Sequence, residues 1–140
     1  GSIESLPEYT EEYQDVFVAI GNNPLRKTLI LKAEELGYQL VSLISSKCVV
    51  SDYARIGKGS VVFPGAVVEA NARIHEGCVV AAIVPINHDA EIKGYSLINS
   101  NTVLRPNTDI GELSSIGSRC VVTFGKKVES GGVVLDGQII

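Results

Sequence analysis

The chain holds two histidines, His75 in Ile74-His75-Glu76-Gly77 and His88 in Ile86-Asn87-His88-Asp89. An imidazole, with an unperturbed pKa of about 6.5, can take up a proton at neutral pH, and an adjacent carboxylate can fix its tautomer. His88 beside Asp89 therefore has the composition of a general base with its orienting group. On spacing alone, an ordinary surface histidine with a charged neighbour is the competing reading, and His75 is read that way. Two histidines thirteen residues apart do not supply a three-histidine zinc site, so no metal is expected. No Gly-x-Ser-x-Gly or Cys-His arrangement offers a nucleophile. Lys93, Arg105, Lys126 and Lys127 are scattered and read as a solvated face.

The elements that must position His88 are visible from Cys48 onward. Cut every six residues, the chain reads CVVSDY, ARIGKG, SVVFPG, AVVEAN, ARIHEG, CVVAAI and so on to QII. The third slot, from Val50 through Ile86 and Ile98 to Ile140, is a branched aliphatic in all sixteen hexads. The first slot is mostly small, and Cys48, Cys78 and Cys120 all fall in it. Two inward positions separated by an outward one is the period of a strand. Each hexad is then a short strand and a corner, and Gly57, Gly59, Gly111 and Gly117 mark corners that need positive φ or close backbone approach. Stacked units bury what one unit cannot, which predicts a parallel β-helix. His75 and His88 fall at corners.

Composition narrows the partners. A net charge of -4 without a basic stripe argues against nucleic acid. No apolar run reaches membrane-spanning length and no signal-peptide pattern opens the chain, so a cytoplasmic protein is expected. With three hexads per coil, Cys48 and Cys120 lie four coils apart, roughly 19 Å, too far for a disulfide. The three cysteines are read as small buried residues in a reducing compartment.

Ahead of the repeats, Ser5-Leu6-Pro7-Glu8 suggests a capped short helix to about Tyr13. The apolar run Val16–Ile20 suggests a strand buried on both faces. Asn23 is the expected N-cap and Pro24 the first residue of a helix with Leu25, Leu29, Ile30, Ala33 and Leu36 on its apolar side, ended by Gly37. Tyr38–Ile44 returns as a strand parallel to the first. Residues 1–46 thus form a partial α/β cap and 47–140 the β-helix.

The hexads resemble those of the hexapeptide-repeat acyltransferases, whose fold is a left-handed parallel β-helix with three units per coil. Phe17-Val18-Ala19-Ile20-Gly21-Asn22-Asn23, followed by Leu25-Arg26-Lys27, resembles a segment of the sialic acid O-acetyltransferase (NeuD/PglD) group of sugar acyltransferases. In that group, a small Rossmann-like domain precedes the β-helix and binds a nucleotide-linked sugar. The resemblance implies acetyl-CoA as acyl donor, an amine or hydroxyl of a sugar or nucleotide-sugar as acceptor, a homotrimer with sites between prisms, His88 as base, Asp89 as its orienter, and Gly21 and Asn22 as substrate contacts. The pattern also departs from the group. Leu97 stands where a second histidine is usual, Ala81 replaces an asparagine, and Pro106 replaces a glycine whose N–H stabilises the oxyanion. The Gly-x-Gly-Gly-His loop and the Gly-x-Pro-Ala-Lys-like tail do not occur. A piece of a longer enzyme is one reading, and a catalytically degenerate trimer serving as a binding or scaffold module is the alternative.

Overall fold

The computed structural model describes residues 3–140. From Leu43 onward, each six-residue unit contributes a two-residue rung that pairs in parallel with the rung eighteen residues later, as Val67 does with Pro85 and Ile98 with Ile116. Three rungs complete a coil, and the rungs fall into three parallel sheets of six, five and five strands. Face one runs from Leu43–Ile44 through Val61–Val62 and Leu97–Ile98 to Val133–Val134. Face two runs from Val49–Val50 through Pro85–Ile86 to Val121–Val122, and face three from Arg55–Ile56 through Glu91–Ile92 to Lys127–Val128. This is the β-helix the hexads predicted.

The third-slot aliphatics form its core. From Val62 to Val122 none is more than 2% exposed, whereas Val50, at one end of the ladder, is 36% exposed. Each buried side chain contributes roughly 1.5–3 kcal/mol of gross transfer free energy, an upper estimate. The first slot does more than leave room. Ser60, Ser96, Thr102 and Ser114 each donate a hydroxyl hydrogen bond to the carbonyl fifteen residues on, at His75, Gly111, Gly117 and Glu129. Cys48, Cys78 and Cys120 direct Sγ at Phe63 O, Lys93 O and Leu135 O in the same pattern, 3.0–3.2 Å away. All three cysteines are free, with Cys78 and Cys120 buried and Cys48 half-buried. Burial pushes the Cys78 thiol up to about 12, so it stays a protonated donor and not a nucleophile.

Both uses foreseen for corner glycine occur, in different slots. Gly111 is a close approach, because a Cβ there would lie 2.4 Å from Ser130 N. The sixth slot instead takes positive φ from Gly59 to Gly137, and eight of its occupants are not glycine, among them Asn71, Ile83, Asp89 and Tyr95. Left-handed backbone is costly for such residues unless their surroundings fix it.

The N-terminal unit departs in detail from its sequence reading. A 3₁₀ helix spans Ile3–Tyr9, with Pro7 inside it. The first strand, β1, is only Asp15–Val16, and the run through Ile20 continues as irregular chain. Asn22, not Asn23, is the N-cap of helix α1 (Asn23–Glu35), its Oδ1 accepting from Leu25 N at 2.9 Å. The expected strand over 38–44 is divided: β2 (Gln39–Leu40) pairs in parallel with β1, whereas Leu43–Ile44 already pairs with Val61–Val62 of the solenoid. The buried side of α1 is the expected stripe only in part: Leu29, Ile30 and Ala33 are buried as predicted. Leu25 is exposed, and Arg26, 1% exposed, is buried beside them with Asn23. The reason is the surface beneath, a corner of the β-helix that presents carbonyls.

Candidate active site

His88 lies at the corner between faces two and three, carried by the turn from Pro85–Ile86 to Glu91–Ile92. The coil below fixes that turn. Glu69 accepts from His88 N through Oε2 at 2.8 Å and from Asn87 Nδ2 through Oε1 at 3.1 Å, and Asp89 N donates to Ala70 O. The coil above adds Asn107 N to His88 O. The turn needs left-handed backbone at Asp89, with φ 60°.

The side chains then meet as the Asn87-His88-Asp89 sequence suggested. His88 Nδ1 lies 2.8 Å from Asp89 Oδ2, and both residues are exposed. Hydrogen bonds from His88 and then from Asn71 hold the Asp89 carboxyl below its ordinary value. An ionised carboxylate only accepts, so Nδ1 carries a proton, and in the neutral ring Nε2, which has no hydrogen-bond partner among the described residues, is the basic nitrogen. That is the tautomer a general base requires.

Beside Asp89 opens a cleft of about 510 Å³ lined by Tyr53, Arg55, Asn71, Arg73, Ala90 and Glu91. Arg55, Arg73, Tyr53, Asn71 and Glu69 escaped the sequence reading. The signal that finds them is the eighteen-residue coil spacing, which stacks Arg55 on Arg73 and Glu69 under Asn87.

The other candidates stand elsewhere. His75, at the corner between faces three and one, is not merely solvated: its Nε2 lies 2.6 Å from Glu91 Oε1, the oxygen that also pairs with Lys93 Nζ at 2.7 Å. Gly21 and Asn22 are exposed on the approach to α1, with Gly21 O accepting from Arg26 Nη1. Arg26 ties that segment to Gly77 O and Tyr95 O, and Asn23 Nδ2 donates to Ser114 O, all on the same corner between faces three and one as His75. Gly21 and Asn22 are thus held at a different corner of the prism from His88. Leu97 points outward on face one, and Ala81 sits at the corner between faces one and two. Pro106 stacks one coil above His88 and has no N–H to give. Among the described residues, no cluster of three or more His, Cys, Asp or Glu could hold a metal ion, and no helix is long and apolar enough to cross a membrane.

The β-helix of hexads defines a class, and similarity to known proteins places the chain in it. Residues 24–135 match the family described as GlmU-like, C-terminal hexapeptide, and the chain belongs to it. Among solved structures it is similar to the acetyltransferase domain of PglB from Neisseria gonorrhoeae, with 36% identity, a TM-score of 0.88 and coverage of 90% of this chain and 62% of that one. The same domain in complex with acetyl coenzyme A matches at 33% identity and TM-score 0.89, covering 99% and 73%. PerB from Caulobacter crescentus, in complex with CoA and GDP-perosamine, matches at 28% identity and TM-score 0.96, covering 98% and 67%. The chain therefore spans a little under two thirds of the PglB domain in the first of these structures.

Proposed function

We propose that this chain is an acetyl-CoA-dependent acetyltransferase acting on an amine or hydroxyl of a nucleotide-linked sugar. The observation that carries the proposal is His88, with Nδ1 committed to Asp89 and Nε2 free. The acceptor's nitrogen or oxygen attacks the thioester carbonyl carbon of acetyl-CoA and gives up its proton to Nε2, and the CoA thiolate departs. Asp89 holds the ring and stabilises its charged form. The complexes of the PglB domain with acetyl coenzyme A and of PerB with CoA and GDP-perosamine support this choice of donor and acceptor class.

The reading includes a homotrimer. Face two turns Val49, Val67, Pro85, Val103 and Val121 outward, an apolar row where face three carries Arg55, Arg73, Glu91, Asp109 and Lys127. A second copy against that row would shield it and give the His88 corner an opposing wall, with Gly21 and Asn22 of a neighbour as acceptor contacts. Residues 1–46 would serve as the partial α/β cap and 47–140 as the catalytic prism. Three free cysteines fit a reducing cytoplasm.

Turnover of acetyl-CoA with nucleotide-linked amino sugars is expected for the wild type, with a loss of about 10²–10⁴ in His88→Ala. Equal turnover by the two proteins would remove His88 from the reaction. A second reading, a binding or scaffold trimer without catalysis, is favoured by Pro106 in place of the oxyanion donor and by Leu97 in place of the family's second histidine. Loss of one oxyanion donor costs about 10²–10³ in rate, and on this reading no turnover is seen and acetyl-CoA gives no thermal shift.

A further inference from the structure

Face three carries two arginines with nothing to pair them. Arg55 and Arg73 are direct register partners on successive coils, which places their Cα atoms about 4.8 Å apart. Like charges set directly opposite repel. Neither guanidinium has a carboxylate within ion-pair range: Arg55 reaches only Asp52 O and Ala54 O of its own corner, and the Arg73 side chain has no hydrogen-bond partner among the described residues. The nearest acid on the ladder, Glu91, sits in register with Arg73 but gives its Oε1 to Lys93 and His75. The two cations border the cleft of about 510 Å³ whose wall also includes Asp89, the partner of His88. Tyr53 adds an exposed ring and Asn71 an amide to the same wall.

We propose that the Arg55–Arg73 pair is an anion site that seats the phosphate or diphosphate of a ligand whose other end lies at His88. A phosphate bridging successive rungs removes the repulsion and accepts charge-assisted, fork-shaped hydrogen bonds from both guanidiniums, the geometry for which arginine is suited. This deepens the proposed transferase reading and rests on it for the reacting end of the ligand. The anion site itself does not depend on catalysis. Phosphate could arrive on the acceptor's nucleotide or on CoA, and the two sources are separable by kinetics.

Calorimetric titration of the full chain with pyrophosphate and with UDP is the direct test, on wild type, Arg55→Gln, Arg73→Gln and, as a charge-matched control remote from the cleft, Lys32→Gln. Both arginines are exposed, so the variants are expected to melt with the wild type. Saturable binding is expected in the wild type, Lys32→Gln and His88→Ala, weakened about tenfold or more in either arginine variant. Undetectable wild-type binding, or equal affinity in the arginine variants, overturns the site. Where acetyl transfer is measurable, Arg73→Gln is expected to raise KM for one substrate only: the nucleotide-linked acceptor if its diphosphate sits there, acetyl-CoA if CoA's does. Unchanged KM for both overturns the anion site and leaves the transferase standing. Arginine-dependent pyrophosphate binding in a chain that never transfers acetyl does the reverse.

Discussion

Two corners of the same prism each carry a histidine beside a carboxylate, and only one of them is free to do chemistry. At the corner between faces three and one, the imidazole of His75 is tied through Nε2 to Glu91, Glu91 is shared with Lys93, and α1 docks along the same edge through Arg26 and Asn23. At the corner between faces two and three, His88 spends Nδ1 on Asp89 and keeps Nε2 open beside a cleft. What separates a structural imidazole from a candidate base is therefore which ring nitrogen is committed, and whether an element of the chain covers the corner.

The widest gap between the corners should appear in turnover. His88→Ala is expected to lose about 10²–10⁴ in kcat/KM, or roughly 3–5 kcal/mol in the barrier, whereas His75→Ala stays within a few-fold of wild type. Comparable losses from both would mean that the covered corner also takes part.

Stability should rank the corners in the opposite order. Desolvation lowers the Arg26 pKa, and the buried guanidinium meets no carboxylate, only carbonyls and the Asn23 amide oxygen. Removing it orphans several buried acceptors, so Arg26→Ala is expected to cost about 3–5 kcal/mol in urea unfolding. Arg73→Ala, on the bare side, should change stability by less than about 0.5 kcal/mol. A cost below 1 kcal/mol for Arg26→Ala would show that α1 is not held by that clamp.

The backbone offers a finer contrast. Tyr95 and Asp89 occupy the same sixth slot with φ 60°, but Tyr95 is 5% exposed with Lys27 Nζ 5.1 Å over its ring, whereas Asp89 is exposed. Glycine at either position relieves the left-handed strain. Tyr95→Gly should still cost about 2–4 kcal/mol, because the ring is buried. Asp89→Gly should gain up to about 1 kcal/mol in thermal unfolding while lowering turnover, the trade expected where strain serves a site. A destabilised Asp89→Gly would assign that residue to holding the corner, not to orienting His88.

Much of this could be read from the chain because of the regularity of the repeat. A branched aliphatic in every third slot has only one face to bury, so the ladder from Val62 to Val122 followed from periodicity, and His88 came to a corner with it. The outward slot carries no such constraint. Arg55 and Arg73 read as unrelated surface charges until the coil closes at eighteen residues and stacks them. Corner backbone was half legible: glycine announces Gly59, but nothing in Ile83 or Leu113 announces the same left-handed turn, which the coils on either side impose through hydrogen bonds such as Ile83 N to Pro64 O. At α1, the apolar spacing located Leu29, Ile30 and Ala33 on the buried side but missed Arg26 and Asn23 there, because it cannot foresee a partner surface made of carbonyls. The shift of the N-cap from Asn23 to Asn22 has the same origin, since Asn23 is occupied with Ser114 and Ser115.

The smallest expected effect concerns acid. Hydrogen bonds from Lys93 and then His75 hold the Glu91 carboxyl below its ordinary value. A carboxyl depressed in the folded state stabilises above its unfolded pKa, about 4.3, and that contribution disappears as pH falls through the folded value. Glu91→Gln should therefore be less stable than wild type at pH 6–7, by under about 1 kcal/mol for a partly exposed pair, and the gap should begin to narrow as pH falls below about 4.3. His88→Ala should show a convergence of the same sign but smaller still, because His88 also holds the Asp89 carboxyl below its ordinary value while both groups are exposed to solvent. A wild-type to Glu91→Gln gap that does not narrow with falling pH would place the value of Glu91 in packing along the rung and leave the two corners alike in their response to acid.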